Sequence, residues 1–186
     1  GDTFQLFYSA HTIKSAATTY RNILANNPQL SRGSLELMEK QIVENSVNQF
    51  GEKVKVPFDI LWTTDDPNTI NTALEYLRSV ASPDGLNSGV ENVYKGKYKH
   101  VILPLVATDA SGLVDSTKAK YWGLASSSTT SAHVLIWEEP RLKTPALGNN
   151  GEEFSTDDFN FGVRAGYGMA IVNGQWIHMS KGDGTA

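Results

Sequence analysis

The sequence predicts an α+β protein, and three stretches carry that prediction. Between Phe159 and Ile171 every odd position is apolar (Phe159, Phe161, Val163, Ala165, Tyr167, Met169, Ile171), while Asn160, Gly162, Arg164, Gly166, Gly168 and Ala170 between them are polar or small. Successive side chains of a strand point to opposite faces, so this pattern is one long strand with one buried face. Leu35, Met38 and Ile42 recur at helical spacing behind Ser31, which makes a helix over 32–48 with Ser31 as its N-cap and a narrow apolar stripe. Residues 54–63 alternate again (Val54, Val56, Phe58, Ile60, Trp62) and run into Asp65-Asp66-Pro67. Aspartate caps free helical N–H groups and proline fits the first turn, so a second helix starts there.

Taken in order, the chain opens Gly1-Asp2-Thr3-Phe4 without a methionine and enters an alternating pattern at once (Phe4, Leu6, Tyr8). It is therefore expected to be a piece of a longer polypeptide. Residues 12–27, rich in Ser, Thr, Ala and Asn, are expected to be loop with one helical turn near 20–24. In the first helix Glu36 and Lys40 stand four apart, in the favourable order for an ion pair. Its thin apolar stripe suits a helix resting on a sheet, and Gly51 after Phe50 suits its exit. In the second helix Ile70, Ala73, Leu74 and Leu77 mark a buried face, and Arg78 lies near the negative end. Ser82-Pro83-Asp84-Gly85 is a turn. Residues 101–108 form a mostly apolar run long enough for a buried strand, with Pro104 pointing to a bulge or an edge. Short strands at 121–125 and 133–138 flank the Ser126–Ser131 segment, and 140–158 is loop-like. Val172-Asn173-Gly174-Gln175 suits a type I′ turn that returns the long strand into a second strand at 175–179. No internal repeat is visible.

Composition narrows the function classes. The 186 residues fit one large domain or two small ones, and 40% hydrophobic with 19% charged residues is a folded composition. A formal charge of −4 argues against electrostatic capture of nucleic acid. The absence of cysteine excludes disulfides, thiol catalysis and cysteine-ligated metals. No apolar run approaches the roughly 18 residues of a membrane helix.

The motifs add no chemistry. His11, His100, His133 and His178 lie far apart without metal-site spacing, and suit surface or hydrogen-bonded histidines. Nucleophile-elbow and phosphate-loop motifs are absent. Gly162, Gly166 and Gly168 superficially match a dinucleotide fingerprint, but they lie inside a strand on one face, where glycines let another backbone or subunit approach. Glu152, Glu153, Asp157 and Asp158 could take a hard cation such as calcium, yet they lack calcium-loop spacing and suit a solvated loop better. Asp65 and Asp66 are explained by capping, and Lys95, Lys97 and Lys99 by a solvated strand edge. No catalytic, cofactor-binding or metal residue is assigned, no cofactor is expected, and the expectation is a protein that is not an enzyme. Arg164 alone is singled out, as a candidate subunit-interface residue set against the plainer reading of a solvated surface arginine.

The order of elements then resembles a known family. Leu6-Phe7-Tyr8-Ser9-Ala10-His11, Tyr20-Arg21-Asn22-Ile23-Leu24 and Leu30-Ser31-Arg32-Gly33-Ser34-Leu35-Glu36 are similar to successive landmarks of the major head proteins of tailed bacteriophages, the Mu-like group especially. They are followed by a long helix, the strand Asp59-Ile60-Leu61-Trp62 and the helix Ile70-Asn71-Thr72-Ala73-Leu74-Glu75-Tyr76-Leu77. Asn87 onward and Val101-Ile102-Leu103-Pro104 resemble the passage into the centre of the capsomer. The run from Phe161 to Ile171 resembles the arginine-bearing strand near the C-terminus of that fold. The resemblance covers about 6–180, and its motifs are diffuse and apolar, so their order carries the weight.

It implies the Hong Kong 97-type capsid fold. Residues 1–55 would belong to the peripheral domain, with the spine helix at 31–49; 56–148 would form the axial domain; 149–186 would return to the peripheral domain as a long β-hairpin. The N-terminal arm and extended loop would lie upstream of Gly1. The implied role is a major capsid subunit that assembles into pentamers and hexamers of an icosahedral shell around double-stranded DNA. Scaffold, portal and decoration proteins are further partners, DNA is touched non-specifically, and no membrane is involved. The place of action is the virion, assembled in the host bacterial cytoplasm. Encapsulin nanocompartments are the nearest alternative; an unrecognised α+β hydrolase and a neck or tail protein of the virion are others.

Overall fold

The computed structural model describes residues 5–13, 19–48, 50–83, 89–129, 132–143, 162–171 and 173–184. The chain divides into two compact units, Gly1–Ser131 with Val172–Ala186, and Ala132–Ile171. The architecture is mixed α+β, with few helices and several sheets.

In the first unit β1 (His11–Thr12) and β2 (Thr19–Tyr20) form a small antiparallel pair. The helical turn expected near 20–24 is absent, because that backbone bonds elsewhere. Leu24 N–H donates to the Met179 carbonyl at 2.8 Å, and Met179 N–H donates to the Asn22 carbonyl at 2.9 Å. The fully buried Asn22 side chain accepts from Tyr8 N–H at 2.8 Å and donates to the carbonyls of Leu6 and Gly174. One amide thus fixes three separate chain segments.

Helix α1 (Arg32–Asn45) begins as expected at Ser31, whose hydroxyl accepts from Ser34 N–H while the Ser34 hydroxyl accepts from Ser31 N–H, a capping box. It is continuous but stops three residues before the expected Asn48. Ser46 adopts a non-helical ψ of 86° and its hydroxyl donates to the Ile42 carbonyl; Asn45 donates to the Gln41 carbonyl and accepts from Arg21 N–H. Gly51, at φ +83°, serves a separate turn beyond the helix. The ion pairs along α1 are Arg32–Glu36 and Lys40–Glu44, in place of the anticipated Glu36–Lys40.

Strand β3 (Ile60–Thr63) is shorter than the 54–63 alternation, although Val54, Val56 and Phe58 remain half-buried between exposed Lys55 and Pro57. Helix α2 (Pro67–Arg78) follows with Asp66 as N-cap, accepting from Thr69 N–H at 2.9 Å, and Pro67 in the first turn. Its buried face is Thr69, Ala73, Tyr76 and Leu77; Ile70 and Leu74 sit half-buried at the flank. Strand β4 (Lys99–Ile102) pairs parallel with β3, so β3–α2–β4 is a crossover unit. The run expected as a buried strand over 101–108 ends at Ile102, because Pro104 lacks a ladder N–H and opens a 3₁₀ helix, Pro104–Ala107. Strand β5 (Trp122–Ala125) pairs antiparallel with β3.

The chain then forms the second unit. Strand β6 (Ala132–Lys143) pairs antiparallel with β7 (Gly162–Ile171). Pro140 and the residues after it, expected to begin a loop, continue β6. Phe159, Asn160 and Phe161, expected in the long strand, lie outside the described residues, as do Glu152, Glu153, Asp157 and Asp158.

Back in the first unit, β8 (Ile177–Ser180) pairs antiparallel with β5 and completes the sheet order β4-β3-β5-β8. The hairpin expected across Asn173-Gly174 is therefore corrected: the long strand pairs with β6, and the returning strand belongs to another sheet. Asn173 has φ −150° and accepts from Gln175 N–H, starting a 3₁₀ turn, Gly174–Trp176, so no type I′ geometry arises.

Leu35, Met38 and Ile42 of α1 and Ala73, Tyr76 and Leu77 of α2 share one cluster with Leu61, Trp122 and Leu124, which the pairing register places on one face of the sheet. Helix α1 covers this four-stranded sheet, whereas the expectation was the sheet containing 159–171. Helix 32–45 and residues 60–125 thus share one core across the boundary near 55 that the resemblance implied. On the opposite face Trp62 lies over Gly123: a Cβ there would fall 1.9 Å from the His178 carbonyl oxygen and 2.8 Å from the Trp62 ring. We predict that Gly123→Ala costs about 3 kcal/mol or more, since a central strand and a buried indole must both move. Chemical denaturation should show the loss; a change under 1 kcal/mol would contradict this packing.

Candidate interaction surface

The β6–β7 ribbon sets 12 residues against 10, and the surplus is absorbed by two register shifts, between Ile136 and Glu138 and between Glu138 and Arg141. A bulge re-aims the side chain it inserts. Alternation puts Trp137 on the glycine face, and the first shift brings Glu138 there beside it; Gly166 leaves room for the indole, since a Cβ on Gly166 would fall 2.1 Å from the Trp137 indole nitrogen and one on Gly168 3.3 Å from its ring. The glycines inferred to admit another backbone or subunit admit a tryptophan of the same hairpin. Glu138 comes onto that face opposite Gly166 and pairs with Arg164, Oε2 to Nε, at 2.8 Å. Arg164 thus has a partner inside its own hairpin, and its side chain is still 63% exposed.

The other face is apolar. Val134 stands opposite Met169, Ile136 opposite Tyr167 and Leu142 opposite Val163. The sequence assigns this face to the interior, but these six side chains are each 61–72% exposed. The alternation does mark a strand; among the described residues no layer covers its apolar side. A second exposed apolar group surrounds the 3₁₀ helix after β4: Ile102, Leu103, Leu105, Leu113 and Val114.

His11 is buried and stacked on Tyr20, His100 hydrogen-bonds Thr63 at 2.9 Å, and His133 is exposed, in line with the sequence reading. Burial, with Arg78 nearby, pushes the His100 pKa down. Asp66 caps α2 and Asp65 is exposed. Lys97 pairs with Glu39 at 2.7 Å and lies over the rings of Tyr94 and Tyr98, both of whose phenols burial pushes up; Lys99 sits on β4 at the sheet's edge. Among the described residues no three His, Asp or Glu gather to hold a metal, and no helix is long and apolar enough to cross a membrane. No family model, curated protein or solved structure matches the chain.

Among the described histidines His178 is the most deeply buried. It is 1% exposed, its Nδ1 lies 3.2 Å from Gln41 Nε2 of α1, and Phe58 meets it edge-on. Since the amide nitrogen only donates, Nδ1 accepts and the ring proton sits on Nε2. Burial holds its pKa at about 4, against 6.5 when unperturbed, and only a backbone hydrogen bond at Gln175 opposes the shift.

Between those values the unfolded chain binds a proton that the folded one refuses. The stability conferred by neutral His178 is complete above about pH 6.5 and is lost as pH falls toward 4. We predict unfolding free energy about 2 kcal/mol lower at pH 5 than at pH 7, with His178→Gln flattening that slope in urea titrations; an unchanged slope would refute the assignment. For the hairpin, Gly166→Val should displace Trp137 and speed hydrogen exchange at 134–138 at least ten-fold while leaving 61–63 and 122–125 unchanged. Equal protection in both proteins would show that the indole does not need the glycine.

Proposed function

We propose that this chain is part of a structural shell subunit, of the kind formed by major head proteins of Mu-like tailed bacteriophages, with a Hong Kong 97-type fold. The observation that carries the reading is the ribbon Ala132–Ile171, which presents a row of large apolar side chains outward. Monomers rarely leave such surface uncovered, and it marks sites of association. The order of landmarks along the sequence supports the same reading, as does a capped helix lying on a sheet. So does the exposed apolar group at 102–114, which falls where the resemblance puts the centre of the capsomer.

In this proposal the partners are further copies of the subunit in pentamers and hexamers, with scaffold, portal and decoration proteins and packaged DNA. The role is structural and non-enzymatic, and its place is the virion. Arg164 keeps its proposed part at a subunit contact through the exposed portion of its guanidinium, whose planar fork suits a carboxylate or backbone carbonyls of a neighbour.

Electron microscopy of cells expressing the complete coding sequence tests the reading. Closed icosahedral particles are expected, and nuclease-protected DNA within them separates a phage head from an encapsulin-type compartment. Tubes, rings or monomers only would overturn it. Arg164→Ala should change the unfolding free energy by about 0–1 kcal/mol, because the guanidinium in its pair with Glu138 is largely exposed, while reducing particle yield several-fold. Full yield would return Arg164 to the solvated surface.

A further inference from the structure

We infer that the apolar face of the β6–β7 ribbon is covered by the same face of a second copy of this chain, two ribbons stacking across a two-fold axis near Ile136 and Tyr167. This rests on the proposed role as a shell subunit and specifies one contact within it. A two-stranded ribbon is marginal in water and needs a further layer for stability, yet among the described residues β6 and β7 pair only with each other. The layer must match what the face offers. Val134, Ile136, Leu142, Val163, Tyr167 and Met169 include no charged side chain, while the ion pair Glu138–Arg164 lies on the other face. These six side chains are uncharged and can meet their own image without placing like charges opposite one another, the condition an isologous contact imposes; the exposed Glu139 falls in the second register shift, beyond Ile136 and Tyr167.

The area also fits. At about 80 Å² of apolar surface recovered per side chain, six side chains bury on the order of 500 Å² per copy. Two copies give about 1,000 Å² in total, the lower bound of a specific interface and well short of a tight dimer. Such a contact is weak in an isolated pair and becomes effective where an assembly repeats it.

The chain contains no cysteine, so a single introduced thiol reports only on its own image. Tyr167→Cys lies near the inferred axis; Ala170→Cys, exposed on the opposite face, is the control; Leu105→Cys combined with Tyr167→Cys tests a contact with the other apolar group. Each is oxidised in the concentrated chain and in particles from the complete coding sequence. Disulfide-linked dimers forming at least ten-fold faster through position 167 than through 170, and suppressed by Ile136→Lys, are the expected result. No excess at 167, or links running between 105 and 167, would overturn the inference. Particles that assemble without linkage at 167 remove this contact but leave the shell reading; linkage at 167 without particles supports the contact and removes the shell.

Discussion

The pairing of β5 with β8 is the constraint on which the rest depends. These four-residue strands are separated in sequence by the whole ribbon, yet they lie side by side, Trp122 opposite Ser180 and Leu124 opposite His178. On one flank β8 is tied to the N-terminal segment through Asn22, Leu24 and Met179. Through His178 it meets Gln41 of α1, and through the Ser180 hydroxyl it reaches the Pro28 carbonyl at 2.7 Å, the same oxygen that accepts from the Trp122 indole at 3.0 Å. A short strand carries this many connections only if its backbone approaches β5 closely, and Gly123 permits that approach. The ribbon is therefore a long insertion between adjacent strands of one sheet. Loop-closure entropy grows only logarithmically with length, so an insertion of this size adds modestly to the entropy of closing the sheet.

The local elements were legible where short-range chemistry decides them. Ser31 and Asp66 begin their helices as read, because a capping hydroxyl or carboxylate acts within three residues of itself. The strand 122–125 and most of the long strand followed from alternation. What failed was pairing. Asn173-Gly174 looks like a hairpin turn because the local preference is real, but Ile177–Ser180 gains more by completing the sheet over the core than by lying beside an already paired β7. No window of sequence contains that comparison. The termination of α1 at Asn45 was hidden for a similar reason: Asn45 and Ser46 are ordinary helix residues until Arg21, more than twenty positions earlier, supplies a competing N–H.

The interaction surface was half legible. Alternation announced an apolar side on 159–171 as it did on 54–63, and that side is buried at Trp62 of β3 but not along β7. The difference is what stands opposite. Phe7 stacks on Trp62 with ring centroids 6.1 Å apart, whereas Val163, Tyr167 and Met169 face Leu142, Ile136 and Val134 sideways within one sheet, and nothing among the described residues lies over them. The bulge at Trp137 left no trace that alternation could detect, since His133 to Glu138 reads as a plain short strand. Its only signal was indirect: Gly166 and Gly168 sit where β-branched residues would serve a strand better, and unexplained glycines in a strand mark a close approach.

The same geometry accounts for the position of Arg164. Had β6 run without the first register shift, Glu138 would have fallen opposite Ala165 on the apolar face. The inserted residue moves Glu138 across, so Glu138 and Arg164 gather on the Trp137 side. One inserted residue thereby puts the ion pair on the face that also carries Leu135 and Trp137. The apolar face is exposed to water at an entropic disadvantage, while on the other face Arg164 finds Glu138 within the hairpin itself. A surface sorted in this way is unfavourable for a chain that stays alone and suited to one whose next layer is another molecule.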